Sequence, residues 1–154
     1  MALRNIVVEG DEILRKKCRE VTQIDDRIRG ILDDMVDTMR DYNGVGLAAP
    51  QIGIMRRIVV IEVEDGEVIE LINPEIVETR GKIGADEGCL SVPGYVGYVD
   101  RPEYVKIKGL DRYGKPVVHE GEGLKAVAFC HETDHLDGIL YVDKATNVRK
   151  AEEE

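Results

Sequence analysis

Two histidines four residues apart, with a glutamate directly after the first, form the most chemically pointed stretch of the chain: His131-Glu132-Thr133-Asp134-His135. On a helix, residues four apart stand one above the other on one face, so the two imidazoles can hold a single metal ion. Glu132 lies one position on, about 100° around the axis, within reach of a water on that metal. This is the H-E-x-x-H pattern, in which the glutamate serves as general base. The bland alternative is a helix that merely carries two histidines. It needs separate reasons for each imidazole to sit beside Phe129 and Leu136 on a half-buried face.

A catalytic metal site usually has three protein ligands and an open position. Downstream of His135 there is no further histidine, and the nearest glutamates are Glu152 to Glu154 in an unanchored tail. The third ligand is therefore sought upstream, where Cys89 is the candidate. It sits in Glu87-Gly88-Cys89-Leu90-Ser91-Val92-Pro93-Gly94, with glycines on both sides that let backbone approach a ligand closely. The other cysteines, Cys18 and Cys130, bring the total to three, an odd count that argues against a disulfide framework. Their default reading is as small buried hydrophobes.

The elements that must position these residues are legible in outline. Residues 25–42 read as an amphipathic helix capped by Asp25 or Asp26. Ile28, Ile31, Leu32, Met35, Val36 and Met39 fall on one face, and Asn43-Gly44 stops it. Residues 57–63 are β-branched and read as a strand, Asp65-Gly66 as a hairpin turn, and 68–72 as the returning strand. Asn73-Pro74 is expected to break that strand, with another over 76–79. Residues 104–110 alternate, the turn at 112–115 leads into Val117-Val118, and 124–136 read as a second helix ended near Gly138. The pattern predicts an α+β fold: mostly antiparallel curved sheets packed around a central helix that carries the H-E-x-x-H motif.

At 154 residues the length points to one domain over 1–154, with a short acidic tail from about 144. Such a chain buries roughly 70% of the surface its unfolded form exposes and needs no staples. A net charge of −10 argues against a phosphate-tracking nucleic-acid binder. No apolar run is long enough to span a membrane. The N-terminal Met1-Ala2-Leu3-Arg4-Asn5 has no long apolar core of a signal peptide, which predicts a cytoplasmic protein.

With these residues on the page, the chain resembles the peptide deformylase family. Three family motifs occur in family order: Gly44-Val45-Gly46-Leu47-Ala48-Ala49-Pro50-Gln51, Glu87-Gly88-Cys89-Leu90-Ser91, and His131-Glu132-Thr133-Asp134-His135-Leu136. Weaker likeness runs from Ile13-Leu14-Arg15 to the stretch from Asp111 to Pro116. Two positions depart from the family pattern. Cys130 stands where glutamine is common, and Thr133 where a larger apolar residue is common.

The resemblance implies Cys89, His131 and His135 as metal ligands and Glu132 as general acid/base. It implies Gln51, through its side-chain amide, and Leu90, through its backbone N–H, as donors to the oxygen that gains charge during attack. The glycines of Gly44-Val45-Gly46 fit both a helix stop and an extended substrate backbone pairing near Gly46. Val45, Leu124, Val127 and Ala128 are candidates for an apolar methionine pocket, or simply for core. Arg101 is expected to pair with Glu87 or Asp134 and hold the cysteine loop against the helix. His119 reads as a surface strand residue.

The implied activity is metal-dependent removal of the formyl group from the N-terminal N-formylmethionine of new proteins. The implied partners are nascent-chain ends, with room for transient ribosome association. The resemblance implies one Fe(II) ion; a cysteine with two histidines also suits zinc, nickel or cobalt. The first rival is an H-E-x-x-H zinc endopeptidase, disfavoured by the upstream cysteine. The second is a binding protein with a structural metal, for which Glu132 and Gln51 would be superfluous.

Overall fold

The structure, a computed structural model, describes residues 3–64 and 66–151. Asp65, half of the expected hairpin turn, and the tail residues Glu152 to Glu154 lie outside the described residues. In chain order the main elements are α1 (Asp26–Asp41), β1 (Gly46–Ala48), β2 (Ile58–Ile61), β3 (Ile69–Arg80), β4 (Ile83–Cys89), β5 (Val92–Arg101), β6 (Tyr104–Leu110), β7 (Pro116–Glu122), α2 (Leu124–Leu136) and β8 (Thr146–Lys150). One sheet runs β1-β2-β3-β6-β7 and a second runs β4-β5-β8, with every pairing antiparallel.

α1 starts where the Asp25 carboxylate accepts a hydrogen bond from the Ile28 N–H, which satisfies one of the unpaired donors of the first turn. Its stripe of Ile28, Ile31, Leu32, Met35 and Met39 is buried against Leu47, Ile58, Val60 and Ile72. The helix ends just before Asn43, whose φ of +57° is tolerated because asparagine's short amide can bond locally. α2 is different in kind. Ala126 to Glu132 are buried without interruption, as are His135 and Leu136, because sheet strands and connecting segments surround it. A helix apolar around most of its girth belongs in the interior, and this one carries the H-E-x-x-H motif there.

Three sequence expectations need correction. Asn73-Pro74 does not break its strand: β3 runs through it, with a register shift against β6 between Ile72 and Glu75. Proline is accommodated at such a bulge because its missing N–H breaks no ladder bond. Asn73, at φ +54°, turns its amide outward to bond both the N–H and the C=O of Val21. The second correction concerns the segment from about 144, expected to be a short acidic tail with no regular structure of its own. Residues 146–150 pair with β5 and complete the second sheet. The third is the β4–β5 hairpin itself, absent from the sequence reading because glycine and proline interrupt both strands and their burial follows no clean alternation.

Candidate functional site

The hairpin and the helix meet at the motif residues. Cys89 closes β4 and pairs with Val92, leaving Leu90 and Ser91 as a two-residue turn. Gly94, at φ +83°, is a position where glycine is required, whereas a side chain at Gly88 would make only ordinary contacts. The Cys89 Sγ lies 3.3 Å from His135 Nε2. One donor atom from each of Cys89, His131 and His135 falls within 4.8 Å of the others. A thiolate and two imidazoles this close form a donor set suited to a divalent transition metal.

The charge around this cluster fits a cation. His131 Nδ1 lies 2.9 Å from Glu87 Oε1, an arrangement that leaves the opposite ring nitrogen as the ligand atom. Arg101 donates twice to Glu87, at 2.8 and 3.0 Å, and once to Asp134, at 2.8 Å. Both partners left open by the sequence are therefore engaged at once, tying β5 to β4 and to α2. Burial alone would raise the Glu87 pKa, but the hydrogen bonds from His131 and Arg101 outweigh it and hold the carboxyl at about 2. Burial opposes charge on His131 too, yet Glu132, Cys89 and Glu87 together raise its pKa well above the ordinary value. His135 is pushed the other way, chiefly by burial.

Glu132 is 4% exposed, and its Oε1 has no hydrogen-bond partner among the described residues. Desolvation lifts its pKa to about 7. A buried carboxylate oxygen without a partner costs on the order of 1–3 kcal/mol, and such groups recur where a proton is to be handled. Gly46 of β1 packs under this carboxylate: a Cβ there would stand 2.6 Å from Glu132 Oε2. The glycine expected from sequence for a turn or a substrate backbone is thus required by the approach of Glu132. Gln51 sits in a one-turn 3-10 helix after β1. Its Oε1 accepts from the Ala48 N–H, while its Nε2 donates to Ser91 Oγ at 3.1 Å and reaches toward Cys89 Sγ at 3.6 Å. Its amide is therefore oriented with the NH₂ beside the cysteine.

A cavity of about 720 Å³ opens over these groups, lined by Val45, Gly46, Gln51, Cys89, Leu90, His131 and Glu132 among others. Of the residues suggested for a methionine pocket, Val45, Leu124 and Val127 line it, but Ala128 belongs to the core beside Phe129. His119 is half-buried on β7 and does not line the cavity. Thr133 spends its hydroxyl on the Phe129 carbonyl, as a polar residue inside a helix often does. Ser91, quoted within the cysteine motif but given no role there, orients Gln51, and Tyr141, which carried no sequence signal, stacks its ring on His131 at 6.1 Å between centroids and 22° between planes.

The chain matches the family model for polypeptide deformylase over residues 3–151. The chain belongs to the polypeptide deformylase family. A peptide deformylase of Lachnoclostridium phytofermentans is 58% identical over 146 residues, covering 94% of this chain and 90% of that one. The crystal structure of a peptide deformylase from Legionella pneumophila superposes with a TM-score of 0.92 at 47% identity, covering 95% of this chain and 88% of the other. That of the Thermotoga maritima peptide deformylase gives 0.91 at 39%, covering 95% and 99%. Deformylases are metal-dependent amidohydrolases that remove the N-formyl group from nascent peptides, and the deformylase sheets and helices are those described above. The endopeptidase alternative is not favoured.

Proposed function

We propose that the cavity carries out this reaction with Cys89, His131 and His135 holding one metal ion and Glu132 moving the proton. The observation that carries the reading is the buried, partnerless oxygen of Glu132 beside a three-residue donor cluster, two of whose members, Cys89 and His131, line the cavity with it. When bound, the cation supplies Lewis-acid activation of water. Glu132 takes the proton from the attacking water and delivers it to the departing methionine amine, the work its near-neutral environment suits. Gln51 Nε2 and the Leu90 N–H donate to the formyl oxygen as it gains charge; losing one such donor typically lowers the rate roughly a hundredfold or more. Val45, Leu124 and Val127 receive the methionine side chain. Gly46 lies on β1, an edge strand of its sheet, which leaves backbone for an extended substrate to pair with.

We assign Fe(II) as the native ion, with zinc, nickel or cobalt as substitutes, on family likeness and donor chemistry. We read the chain as a single catalytic domain of the cytoplasm that meets its substrates at nascent-chain ends, with at most transient ribosome contact and no direct nucleic-acid binding. No helix among the described residues is long and apolar enough to cross a membrane. The test is to assay formyl-methionyl peptides beside peptides with only internal bonds, using anaerobically purified protein whose metal is identified by elemental analysis. Release of formate without internal cleavage is expected; internal cleavage alone overturns the reading.

A further inference from the structure

The two proposed oxyanion donors come from different sheets. Gln51 follows β1 of the first sheet, and Leu90 stands in the β4–β5 turn of the second. Their spacing matters, because both must reach one oxygen. The extended segment before the first 3-10 turn spans the gap. The Val7 N–H donates to the Gln51 carbonyl and the Glu9 N–H to the Ser91 carbonyl, each at 2.7 Å. In an extended chain, residues two apart present their backbone the same way and their side chains to one face. The intervening side chains fit this: Ile6 and Val8 line the cavity, while Val7 packs among Leu14, Leu140 and Tyr141. The segment is anchored upstream, where Arg4 donates twice to Asp34 Oδ2 of α1 and its N–H bonds Thr38 Oγ1.

We propose that residues 4–9 are a positioning strap for hydrolysis: two backbone N–H groups set the distance between the Gln51 loop and the Leu90-Ser91 turn, and Ile6 and Val8 form a wall of the substrate cavity. This rests on the donor roles assigned above to Gln51 and Leu90. No hydrogen bond among the described residues joins the strap to Cys89, His131 or His135. It acts through the two segments it joins, and misplacement by about 1 Å far from the chemistry can cost up to a hundredfold in rate.

The experiment compares Val7→Pro, which removes one N–H, with Val7→Ala, which keeps it and loses only side-chain packing, in the metal-loaded full chain. Val7→Pro is expected to lower kcat on a formyl-methionyl peptide about tenfold more than Val7→Ala, at matching metal content. Amide hydrogen exchange is expected to quicken at 48–52 and at 89–92 together, in the proline variant alone. If the proline variant does not fold, Arg4→Ala is expected to give the same paired loosening in weaker form, partly restored by Arg4→Lys. Equal kcat and equal exchange in the paired variants overturn the strap, as does loosened exchange with kcat unchanged. A wild type inactive on formyl-methionyl peptides overturns the reaction assignment instead. Exchange at the two segments then still decides whether the strap couples them.

Discussion

Glu87 accepts from His131 at 2.9 Å while Arg101 grips the same carboxylate with two nitrogens. One histidine of the proposed ligand set is thus fixed by a charged acceptor that is itself fixed, whereas His135 Nδ1 has no partner among the described residues. The asymmetry makes His131 the ligand whose orientation depends on a second residue.

Replacing that acceptor tests the dependence. Glu87→Gln is expected to weaken metal binding by about 10- to 100-fold, read by competition with a chelator. The same carboxyl carries a pH signature. Its folded pKa of about 2 lies below the ordinary carboxyl value. The stability it contributes is therefore present above about pH 4.5 and is lost as pH falls toward 2, on the order of 3 kcal/mol in all. Urea midpoints measured down this range should fall less steeply in Glu87→Gln than in the wild type.

Glu132→Gln is expected to remove most hydrolysis, about 10²- to 10⁴-fold, with metal content unchanged. Metal loss in step with activity would make Glu132 a ligand and undo the assignment.

Gly46→Ala separates fold from chemistry. The new methyl would stand within 3.0 Å of Glu132 Oε2, Cγ and Cδ, so the side chain must shift as a whole into the cavity it lines. The carboxylate then leaves its position, so kcat should fall at least about tenfold while the melting temperature moves little. A variant with full activity would show that the close approach is incidental.

If Gln51 and Leu90 are the donors proposed above, the acyl group must fit between them and the metal, which favours a small one. Formyl-methionyl peptides should be hydrolysed far faster than acetyl-methionyl ones; equal rates would contradict the assigned donors.

The three thiols should separate by reactivity. Burial raises the pKa of Cys18 to about 11, and that of Cys130 likewise, whereas Cys89 lines the cavity. Alkylation of metal-stripped protein at pH 8 should modify Cys89 first, and restoring the metal should protect it. Peroxide should inactivate the iron form faster than the nickel form, with the damage mapped to Cys89. Modification confined to Cys18 or Cys130 would refute the ligand assignment.

What the sequence disclosed follows from what each signal depends on. α1 was legible because its stripe keeps helical period with one face buried. α2 was legible from its limits and its motif, and its central place from the order of the elements, but it is buried more completely than the half-buried face the sequence suggested. The ligand residues stood out because histidine pairs and a glycine-flanked cysteine are chemically unusual. The hairpin carrying Cys89 was not legible, because its strands are held by a turn and by buried ion pairs instead of by alternating apolar residues. Nor was the strand over 146–150: all five residues are exposed, so no burial pattern marks it. The contact of Gly46 with Glu132 joins residues far apart in the chain, which no local pattern encodes.

Cys89 and His135 are 46 residues apart in the chain and 3.3 Å apart in space. Viewed as a polymer, a chain whose two points are bridged by one ion contains a closed ring. A ring of this length withdraws from the unfolded ensemble an entropy worth roughly 4 kcal/mol on the loop-closure account of cross-links. An ion held by the proposed ligands would then also act as a rivet. A molecule without it opens more often, and proteases that sample open chains degrade unloaded molecules first. Turnover as well as affinity would then act to keep the working population loaded.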